Sequence, residues 1–206
     1  MTSNEPTRLS EIDGLHAPNL APRTIRFSQA NIRLFQQLWL QSFPGHKPKE
    51  RGGTLFADKD GGLHLQNIGG ISSNATEMMP NLISRQPDRY RAVGVFHTHP
   101  YGRNDGWATG VSFSGLDVAY LINQRLNIIV AQSGPRLFAL VRTSISPTAI
   151  NARFYHGFKT GALFAQIDKG STPQQASRVV ANAMAVENGL AYYQGSHQAV
   201  TRVYPA

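Results

Sequence analysis

The fold is decided by the stretch Arg91-Ala-Val-Gly-Val-Phe-His-Thr-His-Pro100. Its β-branched and aromatic residues predict a buried strand, which Pro100 ends. Side chains alternate between the two faces of a strand, so His97 and His99 present their imidazoles on one face. The sequence therefore predicts a histidine pair at the rim of a sheet, where the chain must turn.

A second motif, Ser114-Gly-Leu-Asp117, follows a polar loop and predicts the start of a helix that runs to Leu126. Apolar periodicity and turn residues predict the other elements. These are a helix over Ser28–Phe43, a strand over His46–Ala57 with a return strand over Leu63–Ile68, a loop over residues 69–90, strands over Asn127–Gln132 and Arg136–Arg142, helices over Ser146–Ile167 and Thr172–Asn188, and strand-like pieces near Tyr192 and over Val200–Tyr204.

This order of elements predicts an α/β fold with one domain around a mixed sheet, and 206 residues are enough for one core of ordinary size. Residues 1–24 are rich in Pro, Ser, Asn and Thr and are predicted to form a flexible N-terminal arm or a wrapped extension. Residues 25–145 form the predicted core. Residues 146–206 are predicted to be a helical C-terminal extension packed on it.

The composition excludes several classes of protein. The chain has no cysteine, so it has no disulfide framework, no thiolate-ligated zinc site and no cysteine nucleophile. No run approaches the roughly 18 apolar residues of a membrane span, and the polar N-terminus lacks a signal core. We expect a chain without a membrane span that is cytoplasmic when made.

The charge leaves one class of partner open. Twenty Lys and Arg against twelve Asp and Glu give a formal net charge of +8, which favours contact with polyanions such as nucleic acid. The basic residues are scattered along the chain, however, and no aromatic RNA-binding signature accompanies them. A solvated basic surface is therefore favoured over a nucleic-acid site.

His97, His99 and Asp117 together predict a metal site. If the helix packs over the strand end, Asp117 adds a carboxylate oxygen to two imidazole nitrogens. This donor set leaves the fourth position of a tetrahedral Zn²⁺ ion open for water, as in catalytic sites. Taken separately, the histidines fit a surface pair, and Ser114 with Asp117 fits a helix capping box. A capping box is compatible with the metal site.

A zinc hydrolase also needs a general base. The chain has five glutamates, and Glu50 is the best placed because it opens a predicted strand just before Arg51-Gly-Gly53. Glu77 is the second candidate. The alternative for Glu50 is an exposed charge that balances the neighbouring basic residues.

These motifs resemble those of the JAMM (MPN+) zinc metalloproteases, whose pattern is an upstream Glu, then His-x-His-Pro, then Ser-x-x-Asp. The resemblance covers about residues 28–142. It implies a curved sheet flanked by helices, with a cytidine-deaminase-like architecture. It also implies zinc held by His97, His99 and Asp117, a bound water activated by Glu50, and an oxyanion steadied by Ser114. The implied substrate is a peptide or isopeptide bond, in some members behind a ubiquitin-like tail.

The segment from Pro100 to Phe113 is about twice the length usual in this family, and Asp105 within it is a rival metal ligand. In the length of this segment and in its Phe-Ser-Gly-x-Asp motif, the chain resembles a bacterial branch of the family that is attached to toxins and effectors. That resemblance implies export into a target cell without a classical signal peptide, and a cognate immunity protein. Two other functions stay open: a non-catalytic MPN-like binding module, and a metal-dependent enzyme that acts on nucleic acid or cell-wall polymer.

Overall fold

The computed structural model describes residues 5–44, 48–66, 71–72, 78–79, 91–100 and 111–206. The strands are β1 (Thr24–Arg26), β2 (Gly52–Ala57), β3 (Leu63–Gln66), β4 (Ile71–Ser72), β5 (Met78–Met79), β6 (Arg91–Thr98), β7 (Ile128–Ser133), β8 (Arg136–Val141), β9 (Ala191–Ser196) and β10 (Ala199–Tyr204). The α-helices of these segments are α1 (Gln29–Gln41), α2 (Gly115–Asn123), α3 (Ala152–Asp168) and α4 (Pro173–Glu187). Two 3-10 helices, Leu9–Glu11 and Pro18–Leu20, precede them.

Eight of the strands form one curled, mixed sheet in the order β1-β10-β9-β8-β7-β6-β2-β3, while β4 pairs with β5. Within the large sheet, β6 and β7 are parallel, and the other neighbours are antiparallel. The parallel pair is connected through α2, because parallel strands need a crossover. The α/β fold with a mixed sheet is thus confirmed.

The sheet is covered on both faces. On one face, Ile32, Phe35 and Leu38 of α1 are buried against the strands, and the rings of Phe35 and Phe96 stack with centroids 4.2 Å apart. On the other face, apolar residues of α2 and α4 pack on β7, β8 and β9. Helix α3 packs outside them, against α2 and α4. Strands buried on both faces explain the continuous apolar runs in β6 and β7.

Strand β6 divides its side chains between these two layers. Phe96 belongs to the α1 layer, whereas Val95 belongs to the α2 layer. By the same alternation, Thr98 points towards α1, where its hydroxyl lies 2.7 Å from Ser42 Oγ. His97 and His99 therefore face the layer that contains α2.

The strand predicted over His46–Ala57 is shorter, since β2 begins at Gly52. Pro48 has no N–H with which to pair, and the N–H of Lys49 donates to Ser42 O at the end of α1. This part of the chain therefore follows the helix end and joins the sheet only later. Residues 46–47 of the predicted strand lie outside the described residues.

The helix predicted from Ser146 is also shorter, because α3 begins at Ala152 with Asn151 as its N-cap. Ser146 Oγ instead accepts from the N–H of Thr143 and donates to Gly189 O. A Ser-Pro pair fits a turn as well as a helix start. Here it closes the turn after β8.

The C-terminal segment is more than the predicted helical extension, since β9 and β10 supply two strands of the main sheet. Tyr192 and Tyr193 of β9 are fully buried on opposite faces of it. The N-terminal segment wraps onto the same sheet: Ile12 is buried in the α1 layer, and the Arg202 guanidinium donates to carbonyls of residues 18, 19 and 21. These contacts favour the wrapped extension over a free arm for residues 5–24.

Among the described segments, no helix combines the length and the apolar character that crossing a membrane requires.

The contact between β6 and β7 leaves no room for a side chain at Gly94, where an added Cβ would lie 2.3 Å from Ile128 O. We expect Gly94→Ala to lower the free energy of unfolding by about 2–3 kcal/mol, since the obstacle is backbone. Gly157 in α3 is the control, because its Cβ would meet nothing within 4 Å. Gly157→Ala should raise stability by about 0.5–1 kcal/mol in urea unfolding followed by circular dichroism. Equal stabilities of the Gly94→Ala and Gly157→Ala variants would contradict the close packing of β6 on β7.

Candidate metal centre

The two histidines are placed by the ladders on either side of β6. His97 lies opposite Gly52 of β2 and beside Ala131 of β7. One residue beyond the strand end, the N–H of His99 donates to Gln132 O at 2.7 Å. Because β6 is paired on both sides, the backbone of both histidines is fixed. The two residues are 5% and 2% exposed, respectively, so they are not the surface pair that the sequence left open.

Asp117 is placed by the capping box that begins α2. Its Oδ2 accepts from Ser114 N–H at 2.6 Å and from the Ser114 hydroxyl at 2.8 Å, while its own N–H donates to Ser114 Oγ. The capping box is therefore present, and it leaves Oδ1 available for a metal ion. Oδ2 is held by the cap, and Oδ1 is directed at His97.

The three side chains converge on one point. His97 Nε2 lies 2.8 Å from His99 Nε2 and 3.0 Å from Asp117 Oδ1. His99 Nε2 lies 3.8 Å from Asp117 Oδ2. One ligand atom from each residue can be chosen so that all three lie within 4.8 Å of one another. The structure thus brings together the three predicted metal ligands.

The donor set fits a small divalent metal ion. Zinc binds imidazole nitrogen and carboxylate oxygen at about 2.0–2.2 Å, which puts neighbouring tetrahedral ligands about 3.3–3.6 Å apart. The separations of His97 Nε2 from His99 Nε2 and from Asp117 Oδ1 are about 0.3–0.5 Å shorter than that range. His99 Nε2 lies 3.8 Å from the other carboxylate oxygen, Oδ2. Two imidazoles and one carboxylate also serve iron(II). The geometry therefore supports a metal site without fixing the identity of the metal.

The tautomer of His99 suits metal binding. Its Nδ1 lies 3.3 Å from Val111 O, and a carbonyl can only accept, so Nδ1 carries the proton. In the neutral ring, Nε2 then carries a lone pair directed at the cluster, where His97 Nε2 lies 2.8 Å away. Metal-ligating histidines ordinarily donate their other N–H to a carbonyl or carboxylate in this way.

The protonation states follow from burial and mutual charge. Burial and the neighbouring His97 lower the pKa of His99 to about 4, so this ring is neutral near pH 7. Burial opposes the charge on His97, but Asp117 and, more weakly, Glu50 raise its pKa above the usual value. Burial opposes the charge on Asp117 as well, yet the two histidines and Ser114 N–H hold its pKa below its ordinary range. A carboxylate anion and a neutral imidazole are the forms that bind metal.

Glu50 is buried beside the cluster, with only 4% of its surface exposed. Gly52 is opposite His97, and the N–H of Thr98 donates to Arg51 O, so the same register places Glu50 beside His99. Residues opposite each other in an antiparallel pair share a face. The charge of Glu50 acts on His97, which agrees with this placement. Glu50 is therefore not the exposed charge of the alternative interpretation.

Ser114 lies beside the cluster as predicted, and its hydroxyl proton is donated to Asp117 Oδ2. In this arrangement the hydroxyl orients the carboxylate of Asp117. The other two candidates, Glu77 and Asp105, lie outside the described residues.

Sequence reasoning missed the groups that surround the cluster. Thr98, between the two histidines, accepts from the N–H of Arg51 and contacts Ser42 on the far side of the sheet. Ser133 Oγ donates to His99 O and accepts from Val111 N–H. The alternation of β6 would have shown that Thr98 faces away from the site. Nothing in the sequence identifies its partner, however.

No protein-family model matches the chain, and a search of curated proteins found no relative. The functional interpretation therefore depends on the geometry of the site.

The capping box of α2 should matter to the metal as well as to the helix. We expect Ser114→Ala to cost about 1 kcal/mol of stability and to weaken Zn²⁺ binding about 10–100-fold, because Asp117 Oδ2 loses a donor. Thr172 caps α4 with the same three contacts to Gln175, in a capping box that includes none of the three predicted ligands. Thr172→Ala should cost similar stability without affecting zinc binding in a chelator competition. Equal zinc affinities in the two variants would contradict the assignment of Asp117 as a metal ligand.

Metal binding should weaken as the pH falls. A proton on His97 competes with the metal, and Asp117 raises the pKa at which this proton binds. We expect zinc affinity to decrease steadily between about pH 8 and pH 6, with proton release on binding. Calorimetry in buffers of different ionisation enthalpy measures both quantities. An affinity that is constant over this range would contradict His97 as a ligand.

Proposed function

We propose that this protein is a zinc-dependent hydrolase that cleaves peptide or isopeptide bonds. The observation that carries the proposal is the convergence of His97, His99 and Asp117 on one point, with the buried carboxylate of Glu50 next to them. A structural zinc site ordinarily has four protein ligands, whereas these three would leave one position of the ion open. An additional buried glutamate on the same face is the arrangement that a general base requires.

The residues of the proposed site have different roles. His97 and His99 would hold the metal through Nε2, and Asp117 would hold it through Oδ1 while Ser114 fixes the orientation of that carboxylate. Zinc, when bound, supplies a Lewis acid that polarises a carbonyl and lowers the pKa of water to about 7. Burial of His97 and His99, with Asp117 largely covered as well, would limit competing solvent and strengthen these interactions.

Glu50 would act first as the general base and then as the general acid. Its carboxylate accepts a proton from the attacking water and then delivers that proton to the leaving amine. Its place two residues before β2 suits this role, because the register of β2 with β6 puts Glu50 on the face of the histidines. Ser114 is proposed to stabilise the oxyanion, for which its hydroxyl would turn from Asp117 towards the substrate.

The order of motifs supports a JAMM-like assignment within this proposal. The glutamate precedes β2, the histidines end β6, and the aspartate begins α2, so the three motifs occupy adjacent elements of the fold. A protein or peptide substrate, with or without a ubiquitin-like tail, follows from this resemblance. An effector role in a target cell and a cognate immunity protein remain part of the same proposal.

The test of the base is Glu50→Gln. We expect this variant to bind zinc like the wild type but to lose about 10²–10⁴-fold in turnover, because the amide cannot accept the proton. His97→Ala should lose both zinc and turnover. Glu187→Gln is the matched control: Glu187 pairs with Lys159 between α3 and α4 and has no role in the proposed chemistry, so turnover should persist. The assay is mass-spectrometric analysis of peptide and ubiquitin-tail libraries incubated with zinc-loaded protein.

Full activity in Glu50→Gln would place the base elsewhere. A wild-type protein that binds zinc but cleaves no library would favour the non-catalytic binding module. Metal-dependent cleavage of nucleic acid or cell-wall polymer would redirect the proposal to those substrates.

A further inference from the structure

One peptide unit connects the metal centre with the C-terminal part of the chain. The carbonyl of Val111 accepts from His99 Nδ1, and the N–H of the same peptide, on Ser112, donates to Ser177 Oγ at 2.6 Å. A trans peptide is planar and directs its C=O and N–H in opposite directions. The contact with Ser177 therefore sets the direction in which the Val111 carbonyl points.

Ser112 is held a second time through its side chain. Its hydroxyl lies 2.8 Å from the hydroxyl of Tyr192, which also accepts from Gln194 Nε2 at 3.2 Å. Ser112, Ser177 and Tyr192 are all buried, so water does not compete for these contacts. Val111 N–H is bound in turn by Ser133 Oγ. The peptide that receives the proton of His99 thus has fixed partners on α4, β9 and β7.

We infer that Ser177 and Tyr192 are positioning residues for His99, acting through the peptide between Val111 and Ser112. Hydrogen bonds in a chain polarise one another. A donor bond from Ser112 N–H to Ser177 makes the Val111 carbonyl a better acceptor for His99 Nδ1–H. Such a partner fixes the tautomer and raises the basicity of Nε2.

The inference gives the C-terminal segment a role in the site. Ser177 and Tyr192 follow Ser112 by 65 and 80 residues, respectively. Helix α4 and strand β9 then complete the metal centre from outside the region that carries its ligands. The part of the inference that concerns metal affinity rests on the proposed function, whereas the part that concerns the tautomer of His99 does not.

The experiment compares Ser177→Ala and Tyr192→Phe with two matched controls in the full chain. Tyr193→Phe removes a hydroxyl that donates to Pro22 O, from a neighbouring tyrosine that is equally buried. Ser146→Ala removes the hydroxyl of a serine in the turn after β8. Each substitution removes one oxygen, and thermal melting shows whether the variant is folded.

Two readouts are taken. Long-range proton–nitrogen correlation spectra of the metal-free protein near neutral pH report the tautomer of His99, assigned with His99→Gln. Competition with a chelator gives the affinity for Co²⁺ and Zn²⁺. We expect the wild type and both controls to show the Nδ1–H tautomer. The two test variants should show a mixture of tautomers and about tenfold weaker metal binding, at the lower end of the effect of losing a ligand's hydrogen-bond partner.

Unchanged tautomer and unchanged affinity in both test variants would overturn the inference. An equal loss in the controls would also overturn it, since the effect would then be one of general stability. A wild type that binds no metal would refute the proposed function, and the tautomer readout would still decide the role of Ser177 and Tyr192. If either Ser177→Ala or Tyr192→Phe does not fold, the inference is tested with the other variant.

Discussion

The buried contact between the Asp117 carboxylate and the imidazoles of His97 and His99 is the constraint on which the rest of the site depends. Removing a carboxylate from water is costly unless donors compensate it. Here two donors of Ser114 hold one oxygen, and His97 faces the other. The arrangement is possible only because α2 begins where β6 ends, so that the cap of a helix and the rim of a sheet meet.

The position of the site in the sheet follows from topology. β6 and β7 are the parallel neighbours, and the crossover between them must pass over the carboxyl end of β6. Ligand sites of α/β sheets form at such strand ends. On the opposite face, Thr98 is fixed by Ser42 and by Arg51 N–H, so the segment that carries both histidines is secured from the α1 layer while its imidazoles face the α2 layer.

The C-terminal quarter of the chain is part of the same unit. β9 and β10 lie between β8 and the N-terminal strand β1, and Tyr192 reaches Ser112 beside the cluster. The site is therefore surrounded by elements from distant parts of the sequence. Such contacts favour a rigid site, because each ligand's support is itself supported by packed strands and helices.

Short-range sequence patterns were enough to predict the three candidate metal ligands and much of the fold. The alternation of side chains along β6 predicted that His97 and His99 share a face. The Ser-x-x-Asp spacing predicted the start of α2, and the capping box at Thr172 predicted the start of α4. Each of these features depends only on residues within one turn or one strand. The start of α3 and the late start of β2 were not predicted well, since turn residues there allow more than one local structure. The strand-like pieces near Tyr192 and over Val200–Tyr204 are confirmed as β9 and β10, but only the structure shows that they join the main sheet. Tertiary packing alone decided that Glu50 is buried beside the cluster, and it alone brought Ser177 and Tyr192 to the peptide that binds His99. These contacts join residues far apart in the chain, and only the folded sheet brings such residues within hydrogen-bonding distance.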